Sequence, residues 1–152
     1  MKKTLLLAFA LVCLTATTAL ADDSYSCEVV EIDAQQATAK SIDTSLKDVE
    51  KYLTKGPLAI YNHFVKLVRT AKTLEVLKTG TYEMQKGTVT LMIREVKNPQ
   101  GKKPVTALDI SIDDDKGKRW LDAKQNVTLG KYGSYIRSVS DTEGIVYLVG
   151  CK

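Results

Sequence analysis

The residues able to carry chemistry are few and scattered. His63 is the one histidine of the chain; it lies in YNHFVKL, with no cysteine nearby and no second histidine three or four residues on. A zinc site or a nucleophile–histidine–acid arrangement would have to be assembled around it from distant side chains. A strand histidine is the plainer expectation, with a small hydrolase using His63 as the alternative. Asp113-Asp114-Asp115-Lys116-Gly117 starts like a calcium loop. An EF-hand, however, needs oxygens at alternate positions and a glutamate at the twelfth. Counted from Asp113 that position is Lys124, and Lys116 and Lys118 intrude, so a hairpin turn with a solvated acidic face is expected. Glycoside hydrolysis needs two carboxylates facing each other across a cleft, and no local pattern picks two out of the eighteen acids. No catalytic residue, metal or cofactor is therefore assigned.

One segment has the composition of a recognition surface. Leu129-Gly130-Lys131-Tyr132-Gly133-Ser134-Tyr135-Ile136-Arg137 sets two tyrosines, an arginine and a serine among glycines. Exposed Tyr and Arg on a Gly/Ser loop suit contact with a protein groove or a glycan. Lys131, Tyr132, Ser134, Tyr135 and Arg137 are the residues expected to carry such contact. The competing expectation is that Tyr132 and Tyr135 pack over a sheet edge.

The start of the chain says where these residues work. Met1-Lys2-Lys3 is cationic, residues 4–20 carry no charge, and Ala19-Leu20-Ala21 has the small-x-small form of a cleavage site. This reads as a secretory signal peptide over residues 1–21. Its strongly apolar part, Leu5–Leu14, is well short of the roughly 20 residues that span a bilayer. Val12 ahead of Cys13 is a poor lipobox, which wants a small residue there. The mature chain, 22–152, is expected to form a single β-rich domain, periplasmic or secreted, with no transmembrane anchor. The leader holds two lysines and no acid, so its removal takes the net charge from +4 to +2. That near-neutral balance carries no nucleic-acid footprint.

Two cysteines remain, Cys27 and Cys151. An even count in an oxidising compartment normally means a bridge, and no CxxC or nearby ligand supports a metal or redox role. A 27–151 disulfide would join the first expected strand, EVVEI (28–32), to the last.

The elements that must position all this follow from the period of the apolar residues. Ile42, Leu46, Val49 and Leu53 recur at four, three and four, a helical stripe. One amphipathic helix is expected at about 44–55, capped by Asp43 or Ser45, with Asp48 in a capping-box relation to Ser45, and stopped by Gly56-Pro57. After Pro57 the period drops towards two. FVKLV (64–68), TLEVL (73–77), TYEM (81–84), TVTLMIREV (88–96), TALDISI (106–112), RWLD, NVTLG and IVYLVGC (145–151) read as short strands. Gln85-Lys86-Gly87 is a hairpin connection, and NPQGKKP (98–104) a loop. IVYLVGC is apolar on both faces, as a doubly covered strand is. The sum is an antiparallel β-sandwich or open barrel of about seven or eight short strands with one helix.

That order of elements, from IDTSLKDVEKYL and GPLAIYNHFVKLV to a meander ending in GIVYLVGC, resembles small exported bacterial β-sandwich proteins of no known function. The likeness covers most of the mature chain and implies the sandwich alone. By size, location and the tyrosine-serine segment the chain is also similar to periplasmic lysozyme inhibitors, which push a short loop into an enzyme cleft. The function expected is therefore non-catalytic: binding of an envelope protein or glycan, with inhibition of a cell-wall hydrolase as the narrower alternative.

Overall fold

A computed structural model describes residues 23–152; the expected leader lies outside the described residues. Nine strands form two sheets. They are β1 (Ser24–Gln35), β2 (Ser41–Ile42), β3 (His63–Glu75), β4 (Thr79–Glu83), β5 (Gly87–Lys97), β6 (Val105–Asp114), β7 (Arg119–Thr128), β8 (Gly133–Ser138) and β9 (Glu143–Cys151). The five-stranded sheet has the order β2-β3-β1-β9-β8 and the four-stranded sheet the order β4-β5-β6-β7. All neighbours are antiparallel except the short β2–β3 pair. The molecule is thus an open sandwich. No helix among the described residues is long and apolar enough to cross a membrane.

The five-stranded sheet is covered on both faces, and the sequence shows why. In β1, Cys27 and Val29 face the four-stranded sheet, where they meet Val89, Leu91, Ile93, Leu108, Ile110 and Ile112. Val30, Ile32 and Ala34 face the other way, against Leu46, Val49, Leu53, Leu58, Tyr61 and Phe64. β9 divides likewise, with Tyr147 and Val149 in the first cluster and Val146 and Leu148 in the second. This double burial is what the unbroken apolar run of IVYLVGC requires.

The second cover is the segment read as one helix. It is built instead from a 3-10 turn at Thr44–Leu46, a short helix α1 (Glu50–Leu53) and a 3-10 stretch at Gly56–Ile60. Asp43 caps the first turn by accepting from Ser45 N at 2.9 Å and from its hydroxyl at 2.7 Å. Asp48 is drawn away from the expected capping box to Arg69. The apolar stripe is satisfied turn by turn, since Leu46, Val49 and Leu53 are all fully buried.

Two pairs of expected strands are each one strand. FVKLV and TLEVL join in β3 across Arg69, whose charge is paired sideways with Glu28 in β1 rather than breaking the strand. RWLD and NVTLG join in β7. At one end of the sandwich Cys27 and Cys151 stand opposite each other in register and are bonded, 124 residues apart in sequence. Tyr82 crosses between the sheets there to donate to the Cys27 carbonyl at 3.0 Å, and burial pushes its hydroxyl up to about 12.

Candidate functional site

At the other end the five-stranded sheet overhangs its partner. The joint between the sheets at this end is built on Glu31, fully buried in β1. Its carboxylate accepts from the backbone N–H groups of Gln85 at 2.7 Å and Lys86 at 2.8 Å, both in the β4–β5 turn, and from the Tyr147 hydroxyl at 3.0 Å. Three donors on one carboxylate meet the cost of burying it. Beyond this clamp β1 continues to Gln35 and β9 begins at Glu143, each four residues past the Glu31–Tyr147 pair. At strand rise that is an overhang of about 13 Å.

The overhang makes a cleft of about 450 Å³, lined by Asp33, Gln35, Leu67, Ile145 and Arg137 on the shelf and by Gln85, Lys86 and Asp115 on the facing turns. Val139 and Glu143 form its rim. Register explains the shelf: Asp33, Ile145 and Arg137 are directly opposed across β1, β9 and β8. Leu67 joins them because β3 carries an extra residue against β1 at this point. A cleft of a few hundred Å³ with an apolar floor and a few charged groups has the makeup of a ligand site.

The two part-buried arginines of the five-stranded sheet are bonded very differently. Arg69 lies under the helical layer and is fully engaged. It donates to both oxygens of Glu28 at 2.8 and 3.0 Å, to both of Asp48 at 3.0 and 2.7 Å, and to the Ser45 carbonyl at 3.3 Å. Burial alone would raise Glu28, but hydrogen bonds from Arg69 and Tyr132 and the Arg69 charge outweigh it, so the carboxyl is held below its ordinary range. Hydrogen bonds from Arg69 do the same for Asp48. Arg137 is engaged hardly at all. It reaches the Lys86 carbonyl at 3.5 Å, an Asp114 oxygen stands 3.8 Å off, and its Nε is buried with no partner among the described residues. Arg69 is a structural rivet; Arg137 is a guanidinium with donors to spare, facing the cleft.

The rest of the segment 129–137 does not form a free loop. Residues 129–132 turn, and Gly133–Ser138 is the edge strand β8. The Tyr132 hydroxyl donates to Glu28, and its ring stands edge-on to Tyr52 at 5.4 Å. The Tyr135 hydroxyl donates to Gln125 in β7, and burial pushes it up to about 12. Lys131 and Ser134 are exposed, and of the five residues only Arg137 reaches the cleft. His63 opens β3 opposite Gln35 and Ser41, half-buried, and its ring makes no hydrogen bond among the described residues.

The acidic turn is the expected hairpin. Asp114 accepts from Lys116 N at 3.0 Å and Lys118 N at 2.9 Å, Asp113 pairs with Arg119, and Gly117 takes the positive φ of 76° that closes the turn. No group of three metal-ligating side chains forms among the described residues. Sequence reading passed over Glu31, Asp33, Gln35, Lys86 and Glu143. Their one signal was the acid at position 31 between Val30 and Ile32 in the strand EVVEI (28–32); a buried strand carries a charge only where partners are built for it.

No family model matches the chain, and neither a curated protein nor a solved structure does.

Proposed function

We propose that this is a non-catalytic exported protein, periplasmic or secreted, that binds another macromolecule of the cell envelope in the cleft beyond the Glu31 clamp. The observation that carries the reading is Arg137. A guanidinium whose terminal nitrogens hold one long hydrogen bond and one distant ion pair, set beside apolar Leu67 and Ile145 in an open cleft, gains hydrogen bonds at those nitrogens when a partner's acceptor arrives. Tyr132 and Tyr135 support the site indirectly, by fixing β8 to Glu28 and to Gln125. The leader-like start of the chain and the bonded cysteine pair fit an oxidising compartment.

Inhibition of a cell-wall hydrolase through a projecting tyrosine loop has less support, because both tyrosines are turned inward. The test is co-sedimentation of the protein with isolated envelope fragments. Arg137→Gln is expected to lower the bound fraction several-fold, while Ser134→Ala, on an exposed residue away from the cleft lining, leaves it unchanged. Equal binding of wild type and Arg137→Gln would remove the cleft from the function.

A further inference from the structure

The cleft has a chemistry specific enough to name a ligand class. Its cations, Arg137 and Lys86, share it with Asp33, Asp115 and Glu143. A ligand that brought only negative charge would meet Arg137 and be repelled by three carboxylates. One that brought only positive charge would leave the Arg137 donors unfilled. A ligand with one carboxylate and several neutral hydrogen-bond donors answers both. Its carboxylate takes the fork of Arg137. Its hydroxyl groups donate to Asp33 and Glu143 and exchange hydrogen bonds with Gln35, so the acids become acceptors rather than a barrier.

The shape agrees. Asp33, Ile145 and Arg137 stand on three adjacent strands, about 5 Å from one to the next. They make a row across the shelf, with Leu67 and Ile145 offering an apolar floor between the polar groups. A ring with hydroxyls at its edge and C–H groups on its face fits such a floor. An acidic peptide fits less well: each of its further carboxylates would lie against Asp33, Asp115 or Glu143, and its lysines would compete with Arg137 for them.

We infer that the cleft binds an acidic sugar of the envelope, with its carboxylate on the Arg137 guanidinium and its hydroxyls on Asp33, Gln35 and Glu143. This rests on the reading of the cleft as the binding site. The experiment is a 15N NMR titration of the recovered protein with three probes: methyl β-D-glucuronide, methyl β-D-glucoside, and N-acetyl-aspartyl-alanine amide. The glucuronide is expected to shift the amides of Gln85, Lys86, Arg137 and Ile145 and to saturate. The glucoside and the peptide are expected to bind at least about tenfold more weakly, because each lacks one half of the match.

Arg137→Gln should weaken the glucuronide by about tenfold or more. Val139→Glu is a second variant on an exposed rim residue; it adds a like charge without touching the core and should weaken it several-fold. Equal binding of glucoside and glucuronide, tighter binding of the peptide, or unmoved cleft amides would each overturn the acidic-sugar assignment. If the cleft amides stay still while Arg137→Gln still releases envelope fragments, the assignment falls and the cleft reading stands. If Arg137→Gln also keeps its hold on the fragments, both fall.

Discussion

Arg69 concentrates more hydrogen bonding than any other side chain described, and its consequence is a pH dependence. Glu28 and Asp48 both bind it, and both stay ionised to lower pH in the folded protein than in the unfolded chain. A carboxyl whose folded value is depressed contributes stability that is complete above its unfolded value, near 4 for these groups. That contribution drains away as pH falls through the folded value. Stability is therefore expected to be flat from about pH 7 to 5 and to fall below about pH 4. Arg69→Leu should cost about 2 kcal/mol at neutral pH, because Glu28 would stay largely buried with only Tyr132 left as a partner. The solvent-exposed Asp48 adds little to that sum. Urea unfolding of both proteins from pH 7 to pH 3 checks this. The variant's curve should be the flatter of the two, and parallel curves would remove the triad from the acid response.

At the scale of elements, the sequence was legible where burial is periodic and obscure where it is not. The alternation of Val89, Leu91 and Ile93 and of Leu108, Ile110 and Ile112 placed the inner face of the four-stranded sheet correctly, and all six are fully buried. The helical stripe placed the right residues on the core but not as one helix, since periodicity records which side chains are buried and not which hydrogen bonds close each turn. Asp43 and Asp48 settled that, one by capping a tighter turn and the other by leaving for Arg69. The cleft was hidden for a different reason. Its residues come from β1, β3, β8, β9 and three turns, and only sheet order brings them together. Within it, composition singled out Arg137 and the acidic turn with Asp115, while the Tyr132 and Tyr135 hydroxyls are bonded to Glu28 and Gln125. The Glu31 clamp is the element-level feature that defines the cleft's inner wall, and it yields its own expectation. Glu31→Ala strips the acceptor from two backbone N–H groups and from the Tyr147 hydroxyl. The cost should be roughly 2–4 kcal/mol, with the β4–β5 turn loosened from the shelf. Hydrogen exchange checks it: the Gln85 and Lys86 amides should lose the protection that the Glu31 carboxylate gives them, and unchanged protection there would refute the clamp.

For the whole molecule, the two ends of the central β1–β9 pair do different work. At one end the pair is closed by the Cys27–Cys151 bond and by reciprocal hydrogen bonds of 2.9 Å between Ser26 and Lys152. At the other it runs out past the second sheet to form the shelf. Because the backbone pairing already holds the native register at the cysteines, the bond acts mainly on the unfolded chain, whose two ends it ties together over 124 residues. Chain entropy credits a loop of that size with about 5 kcal/mol, and removal of native bridges from small secreted domains typically costs about 2–5 kcal/mol. That is a large share of the 5–15 kcal/mol that holds an ordinary domain together. Cys27→Ala/Cys151→Ala should therefore lower the urea midpoint sharply and raise the m-value, since the unbridged unfolded chain exposes more surface. It should leave the glucuronide binding proposed for the cleft unchanged once corrected for the folded fraction. The bridge lies beyond the Glu31 clamp from the cleft, about 20 Å along β1 from Cys27 to Asp33, and no contact of Glu31, Tyr147 or Arg137 described above involves it. A variant that stays folded yet loses the cleft's affinity would mean that the staple positions the site as well as stabilising the fold.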